Sequence, residues 1–153
     1  MEDLKHLFLK NDEYESSEKI MNKIQKGELN DILSKLCFIN ENNIVIDYIY
    51  FKYLATNTTY NYILMYITNN INNILSKNNE FIVHVNMKKI LLTDIDKHKI
   101  FIQNFSSYLK ENYPDKLSKC YIYNAPTIFK QILNIISVFI DKETLKKIEL
   151  IKN

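Results

Sequence analysis

The residue types that most often carry out catalysis are present, but they are not grouped as a catalytic site. His6, His84 and His98 are far apart in sequence, and His84 lies in an apolar run where a hydrogen-bonded core histidine is expected. Asp94 and Asp96 flank a predicted helix start, so helix capping accounts for them. Serine is not found in a nucleophile motif. We therefore predict no catalytic residue and no enzyme activity.

Cysteine and glycine usage excludes further classes of site. Cys37 and Cys120 are too far apart for a metal-binding motif, and neither belongs to a C-x-x-C pair, so no metal site is predicted. Two buried thiols in a reducing compartment are the simplest interpretation. The chain has a single glycine, Gly27. Phosphate-binding loops and the nucleophile elbow need several glycines, so nucleotide and hydrolase sites of these types are excluded.

Charge and composition restrict the partners. The formal net charge is +2, and every basic residue is lysine. Without arginine and without a dense basic run, a nucleic-acid partner is not predicted. The first ten residues lack the apolar stretch of a signal peptide, and no apolar run is long enough to span a bilayer. We expect a cytoplasmic protein, with peripheral membrane contact as an option. The favoured residues have AT-rich codons, which indicates an AT-rich genome.

The elements that must position any site alternate between helix and strand. Apolar and β-branched runs predict strands at residues 44–54, 81–87, 119–123 and 147–151. Single helices between them imply crossover connections and a mostly parallel sheet. We predict one domain over residues 1–153, with a short N-terminal helical segment at 1–40 and an α/β core at 41–153.

Capping and breaking residues mark the helices. Residues 1–10 are weakly amphipathic, a second helix begins at Ser16 or Ser17 and ends at Gly27, and a third covers residues 29–36. Residues 40–43 predict a turn. A longer helix spans about residues 60–76, and another begins at Thr93 and must end before Pro114. Asp141 is expected to cap one more helical turn.

The predicted helix at residues 127–140 is apolar over more than half of its circumference. Only Lys130, Gln131 and Asn134 form a polar stripe. A helix of this kind must be covered on two sides. It is buried between the sheet and other helices, lines an apolar cavity, or lies on a membrane surface, and the sequence leaves these alternatives open.

Residues 112–129 (NYPDKLSKCYIYNAPTIF) resemble the signature of the CRAL-TRIO family, in which a YP element and a short strand precede N-A-P-x-x-F. The later F-I-D and T-x-x-K-I segments resemble the continuation of that signature. The resemblance covers about two thirds of the chain, and its compact length is similar to the divergent BCH-like branch. The positions that carry the motif are Tyr113, Pro114, Asn124, Ala125, Pro126, Phe129 and Asp141.

The resemblance implies a fold and a function. The fold is a mixed, mostly parallel sheet of about four to five strands with helices packed on one face, and the other face is expected to form the floor of a pocket. The function is non-catalytic binding, transfer or presentation of a phospholipid or other apolar molecule, with no cofactor. The family's gate helix has no counterpart before Asn153. This favours an alternative, a protein-interaction domain on the same fold whose pocket face is filled or dimerised, for example one that binds a small-GTPase regulator.

Two sets of site residues follow from these expectations. The predicted apolar pocket is lined by Val83, Val85, Leu91, Tyr123, Phe129, Ile132, Leu133 and Ile136. Lysines beyond the apolar helix are predicted to contact lipid headgroups or a membrane, namely Lys142, Lys146 and Lys147.

Overall fold

The computed structural model describes residue 8, residues 17–138 and residues 140–152. The helix predicted within residues 1–10 therefore lies outside the described residues, apart from Phe8. A five-stranded sheet has its strands in the spatial order β1-β2-β3-β4-β5. The strands are β1 (Cys37–Asn40), β2 (Asn43–Asp47), β3 (Phe81–Asn86), β4 (Leu117–Tyr123) and β5 (Ile148–Leu150).

Helices precede the sheet and connect its strands. They are α1 (Ser17–Gln25), α2 (Leu29–Leu36), α3 (Tyr48–Leu54), α4 (Tyr60–Leu75), α5 (Leu92–Lys97), α6 (Lys99–Asn112), α7 (Phe129–Ile136) and α8 (Lys142–Lys146). Among the residues described, no helix is long and apolar enough to cross a bilayer.

The topology explains why the helices share one face of the sheet. Strand β1 pairs antiparallel with β2, and β2, β3, β4 and β5 are parallel neighbours in chain order. Each crossover leads to the neighbouring strand in the same direction across the sheet. Because such crossovers are right-handed, all the connecting helices pack on one face. The predicted α/β class and mostly parallel sheet are confirmed.

The main core lies between these helices and what we call the helix-covered face of the sheet. Buried strand residues on this face include Ile44, Phe81, Val83 and Ile122. Helix α4 meets them with one apolar stripe, because its buried isoleucines are three or four residues apart. That stripe consists of Ile63, Ile67, Ile71 and Ile74.

The strand predicted at residues 44–54 is wrong in its second half. The chain is extended only to Asp47, and α3 begins at Tyr48. Five of the seven α3 residues are buried, so the helix is apolar on nearly every side. A short apolar run of this kind looks the same as a buried strand, and periodicity cannot separate the two.

The hairpin at the start of the sheet was missed in part. The predicted turn is present at Glu41 and Asn42, but residues on both sides of it pair as β1 and β2. Glu41 adopts a positive φ of 56° in this tight connection. Because β1 has only four residues and follows α2 directly, it leaves no separate pattern in the sequence.

Helix ends agree with the sequence where a specific capping residue was present. Gly27 has a φ of 76°, and the hydrogen bond from the Glu28 amide to the Lys23 carbonyl closes the end of α1. Asp141 is the N-cap of α8, as predicted. The helix predicted at residues 127–140 is shorter, because α7 covers only Phe129–Ile136.

The helix predicted from Thr93 begins earlier and is divided. Leu91 is the N-cap of α5, and its amide donates to the Asp94 carboxylate at 2.9 Å, so Asp94 caps the start of this helix. His98 separates α5 from α6. The side chain of His98 is buried, and its Nδ1 lies 2.7 Å from the Tyr60 hydroxyl.

The opposite face of the sheet carries a buried polar network. Its centre is His84, whose Nε2 lies 2.8 Å from Asn43 Oδ1 and whose Nδ1 lies 2.8 Å from the Tyr123 hydroxyl. The Asn43 amide nitrogen donates to the Asn40 carbonyl, which leaves Asn43 Oδ1 to accept from His84. The neutral imidazole with its proton on Nε2 therefore satisfies all three groups. Phe8 packs edge-on against the Tyr123 ring.

Candidate ligand-binding site

A cavity of about 440 Å³ lies against the helix-covered face of the sheet. Its floor is formed by side chains from four parallel strands, and almost all of them are apolar. The floor residues are Ile46, Phe81, Val83, Val85, Leu117, Cys120 and Ile148. The expectation that the pocket would use the face opposite the helices is wrong for this cavity. The cavity lies on the helix-covered face, in a gap between α6 and the segment that contains α8.

Helix α6 forms one wall of the cavity. Ile102, Phe105 and Leu109 line it, and their spacing of three and four residues places them on one side of the helix. Ser106 adds a hydroxyl to this wall. The turn after α6 closes one end of the cavity with Tyr113 and its neighbours Pro114 and Asp115.

The second wall is the segment that leads into and through α8. Ile140, Asp141, Glu143, Thr144 and Lys147 line the cavity from this side. The Thr144 hydroxyl and the nearby Lys110 ammonium group stabilise the Asp141 carboxylate and lower its pKa. This fixes a charged group at the rim and holds the start of α8 near α6.

The rim is polar while the floor is apolar. Lys110 and Lys147 supply positive charge, and three carboxylates supply negative charge and hydrogen-bond acceptors. Lys110 lies in the field of Asp141. Lys147 is half-buried, and within the described part of the chain no carboxylate lies within ion-pair distance of its ammonium group. Lys147 is thus a cation at the rim that is available to a ligand.

Cys120 in the floor behaves as an apolar group. Burial raises the pKa of its thiol to about 12. The reactive thiolate is therefore scarce at neutral pH. Burial also raises the pKa of Cys37 to about 12, despite a hydrogen bond from Asn70 to its sulfur. Both thiols are free, and their environment suits packing rather than nucleophilic chemistry.

The predicted pocket residues are divided among three places. Val83 and Val85 line the cavity floor. Leu91 is 54% exposed at the start of α5 and does not line this cavity. Tyr123 lies on the opposite face, because a bulge near Ser118 shifts the β4 register by one residue relative to β3. A shift of one residue moves every later side chain of a strand to the other face.

The α7 residues of the predicted set belong to the core and do not line this cavity. Phe129, Ile132 and Ile136 are buried, and Leu133 is half-buried against the same core. Helix α7 is in contact with α5 and the helix-covered face. Of the three alternatives for this helix, burial between sheet and helices describes its position.

Only one of the three predicted lysines lines the cavity. Lys147 lies at the rim, whereas Lys142 and Lys146 are exposed on α8 and do not line it. The Lys146 ammonium group lies 3.4 Å from a Glu143 carboxylate oxygen, and both side chains are exposed, so this pair contributes little to stability.

The residues of the YP and NAP motifs hold the ends of elements. Tyr113 and Pro114 end α6 and line the cavity, and the Tyr113 hydroxyl donates to Asn72 Oδ1 at 2.6 Å. Asn124 has a φ of 54°, and its amide donates to Asn86 Oδ1, which ties the end of β4 to the end of β3. Ala125 and Pro126 form the extended step before α7, and the Pro126 carbonyl accepts from the Phe129 amide.

Several lining residues were missed by sequence reasoning. They are the α6 residues Ile102, Phe105, Ser106 and Leu109, together with Ile46 in β2. The apolar period of α6 is visible in the sequence. A helix wall of a cavity and a helix that packs on the core have the same period, so this pattern cannot separate them.

The fold is thus an α/β domain with a mostly parallel sheet and an apolar cavity under its crossover helices. The sequence model of the CRAL/TRIO domain matches residues 42–153, which is well over half of the chain. The protein belongs to the CRAL/TRIO domain family, whose members bind lipids.

Two relatives support this assignment. The chain is similar to the Sec14 cytosolic factor of Schizosaccharomyces pombe, with 33% identity over 67 residues, which cover 44% of this chain and 23% of the relative. Its fold is similar to that in the crystal structure of Sfh5, with a TM-score of 0.61 and 17% identity over 80% of this chain and 55% of that chain. The matched region is thus less than a quarter of the curated relative and about half of the solved chain.

Proposed function

We propose that this domain binds a lipid, without catalysis, by placing one acyl chain in the cavity between α6 and α8. The observation that carries the proposal is the cavity itself, about 440 Å³ in volume with an apolar floor and a charged rim. Pockets for small organic ligands measure about 300–1,000 Å³ and are mostly apolar with a few polar groups. The volume suits a single chain, with the headgroup at the rim.

The energetics favour an apolar chain in this position. Burial of apolar surface contributes roughly 25 cal/mol per Å². Val83, Val85, Phe105 and Leu109 offer hydrocarbon surface on the floor and on the α6 wall. The inert Cys120 thiol adds to this surface, and no step of chemistry on the ligand is required.

Lys147 is our candidate for the headgroup contact. Lys147 lines the cavity and is half-buried, and its ammonium group has no carboxylate partner among the residues described. An anionic group of a bound lipid would supply that partner through a charge-assisted hydrogen bond. The role of Lys142 and Lys146 as membrane contacts stays a prediction.

We expect Lys147→Gln to weaken binding of oleate about tenfold or more, because a hydrogen bond to a charged group contributes about 1.5–3 kcal/mol. Binding of oleyl alcohol, which has the same chain and no charge, should change less than about twofold. Displacement of a fluorescent fatty acid measures both affinities. Lys142→Gln is the matched control, because Lys142 is exposed and does not line the cavity.

Equal losses for oleate and oleyl alcohol would contradict the assignment of Lys147 to the headgroup. Failure of the unaltered protein to bind either molecule would contradict the proposed function itself. The two results are distinct, because the second does not depend on any variant.

The alternative of an interaction domain with a filled pocket face has less support. It requires the sheet face opposite the helices to be filled or dimerised, and Val45, His84 and Tyr123 are buried on that face. We favour lipid binding because a cavity is present on the helix-covered face, over β3 and β4. A homodimer or another protein partner remains a separate hypothesis that measurement of mass at two concentrations tests. A cytoplasmic location is part of our proposal, supported by two free thiols and by a relative named as a cytosolic factor.

A further inference from the structure

A second surface, at the other end of α6, combines exposed apolar side chains with lysines. Residues 88–100 contain four lysines and two aspartates. Leu91, Leu92 and Ile100 in this segment are 54%, 40% and 70% exposed. Single exposed apolar residues are ordinary, but three within ten residues of the chain, interspersed with lysines, need an explanation. We call Lys89, Leu91, Leu92, Lys97, Lys99 and Ile100 the basic apolar surface.

The rest of the segment holds this surface in place. Ile90, Ile95 and His98 are buried beneath it, so the exposed residues are those left facing outward. One of the two aspartates is already engaged, since Asp94 accepts from the Leu91 amide at 2.9 Å and lies 3.5 Å from the Lys52 ammonium group. The charge that remains outward is therefore predominantly positive.

We infer that the basic apolar surface docks the domain on an anionic membrane. Leu91 and Ile100 expose more than half of their side chains and thus stand out from the surface. Side chains that stand out in this way can enter the headgroup layer, while neighbouring lysines meet lipid phosphates. A partner peptide would instead need a groove to receive its apolar residues. Positive charge selects an anionic bilayer rather than a neutral one.

This surface differs from the lysines of α8. Between residues 141 and 147, three lysines alternate with two acidic residues, and Lys146 pairs with Glu143. The exposed apolar residues Val138 and Leu150 lie outside that segment, one on each side of it in the chain. The basic apolar surface instead adjoins the part of α6 where Ile102 enters the cavity wall. Docking here does not require the cavity to be occupied.

Vesicle co-sedimentation tests this inference with the full chain. We expect binding to phosphatidylcholine vesicles that contain phosphatidylserine, little binding to pure phosphatidylcholine, and weaker binding as salt is added. The triple change K89Q/K97Q/K99Q should lower the affinity for anionic vesicles about 10- to 100-fold. Each lysine near an anionic surface contributes a similar amount to the binding free energy. Ile100→Ser should lower it about threefold or more.

Matched controls separate this surface from general charge. K26Q/K77Q/K116Q removes the same number of exposed lysines elsewhere, and Val138→Ser removes an exposed apolar side chain. Both controls should bind within about twofold of the unaltered protein. The inference is overturned if the two triple variants lose affinity equally, or if the unaltered protein binds neutral and anionic vesicles alike or binds neither.

Discussion

Val85→Trp should lower the affinity for oleate at least about tenfold while leaving the fold intact. Val85 lines the cavity floor near the carboxyl end of β3, beside Ile46 in the sheet register. An indole ring at this position would occupy space that the acyl chain needs. Each 100 Å² of apolar contact denied to the chain costs roughly 2.5 kcal/mol, which is more than tenfold in affinity.

The chain has no tryptophan of its own, so the fluorescence of the introduced indole reports the environment of position 85. We expect blue-shifted emission for Val85→Trp and water-like emission for the matched control Val138→Trp, whose parent side chain is 82% exposed. The control should bind oleate normally. If Val85→Trp does not fold, Ser106→Phe on the α6 wall replaces it. Normal oleate affinity in a folded variant with a blue-shifted ring would show that the chain binds elsewhere.

The free energy of unfolding should fall by about 2 kcal/mol as the pH decreases from about 6.5 to 5, because of His84. Burial lowers the pKa of His84 to about 4, whereas an exposed histidine has a value of 6.5. Well above pH 6.5, from about pH 7.5, the imidazole is neutral in both states and contributes no slope. Below pH 6.5 the unfolded chain gains a proton that the folded protein excludes, so the unfolded state is favoured.

The geometry explains why the folded protein excludes this proton. His84 already donates from Nε2 to Asn43, and its Nδ1 accepts from Tyr123 in a buried site. A second proton would place a charge there and would remove the acceptor of the Tyr123 hydroxyl. Below about pH 4 both states are protonated, and this dependence ends.

Urea denaturation at a series of pH values checks this expectation. His84→Gln should unfold more easily at neutral pH, but its stability should change less between about pH 6.5 and 5. Burial also lowers the pKa of His98. His98→Gln is therefore the matched variant that measures how much of the pH dependence of stability comes from His98. The same pH slope in His84→Gln as in the unaltered protein would contradict the role of His84.

The sequence predicted those parts of the fold that local chemistry specifies. The apolar run at residues 81–87 gave β3 to within one residue, and Gly27 and Asp141 marked helix ends correctly. These features depend on backbone conformation and capping, which neighbouring residues determine. The family motif identified the fold class, although its Asn124 and Pro126 arrange backbone turns and do not line the cavity.

Other features depend on long-range packing that the sequence does not display. The start of α3 at Tyr48 is hidden within one continuous apolar run. The face on which Tyr123 lies depends on the bulge in β4, and one extra residue reverses the alternation. Whether Phe105 lines a cavity or fills a core depends on where α8 packs, which no local pattern specifies.

Native mass spectrometry of freshly purified protein, followed by organic extraction, tests the central claim most directly. The account predicts a species heavier than the 18.3 kDa chain by the mass of one lipid, which the extraction recovers and which Val85→Trp carries in much smaller amount. The unliganded mass alone, even after incubation with vesicles that contain lipids and free fatty acids, would contradict a lipid-binding cavity.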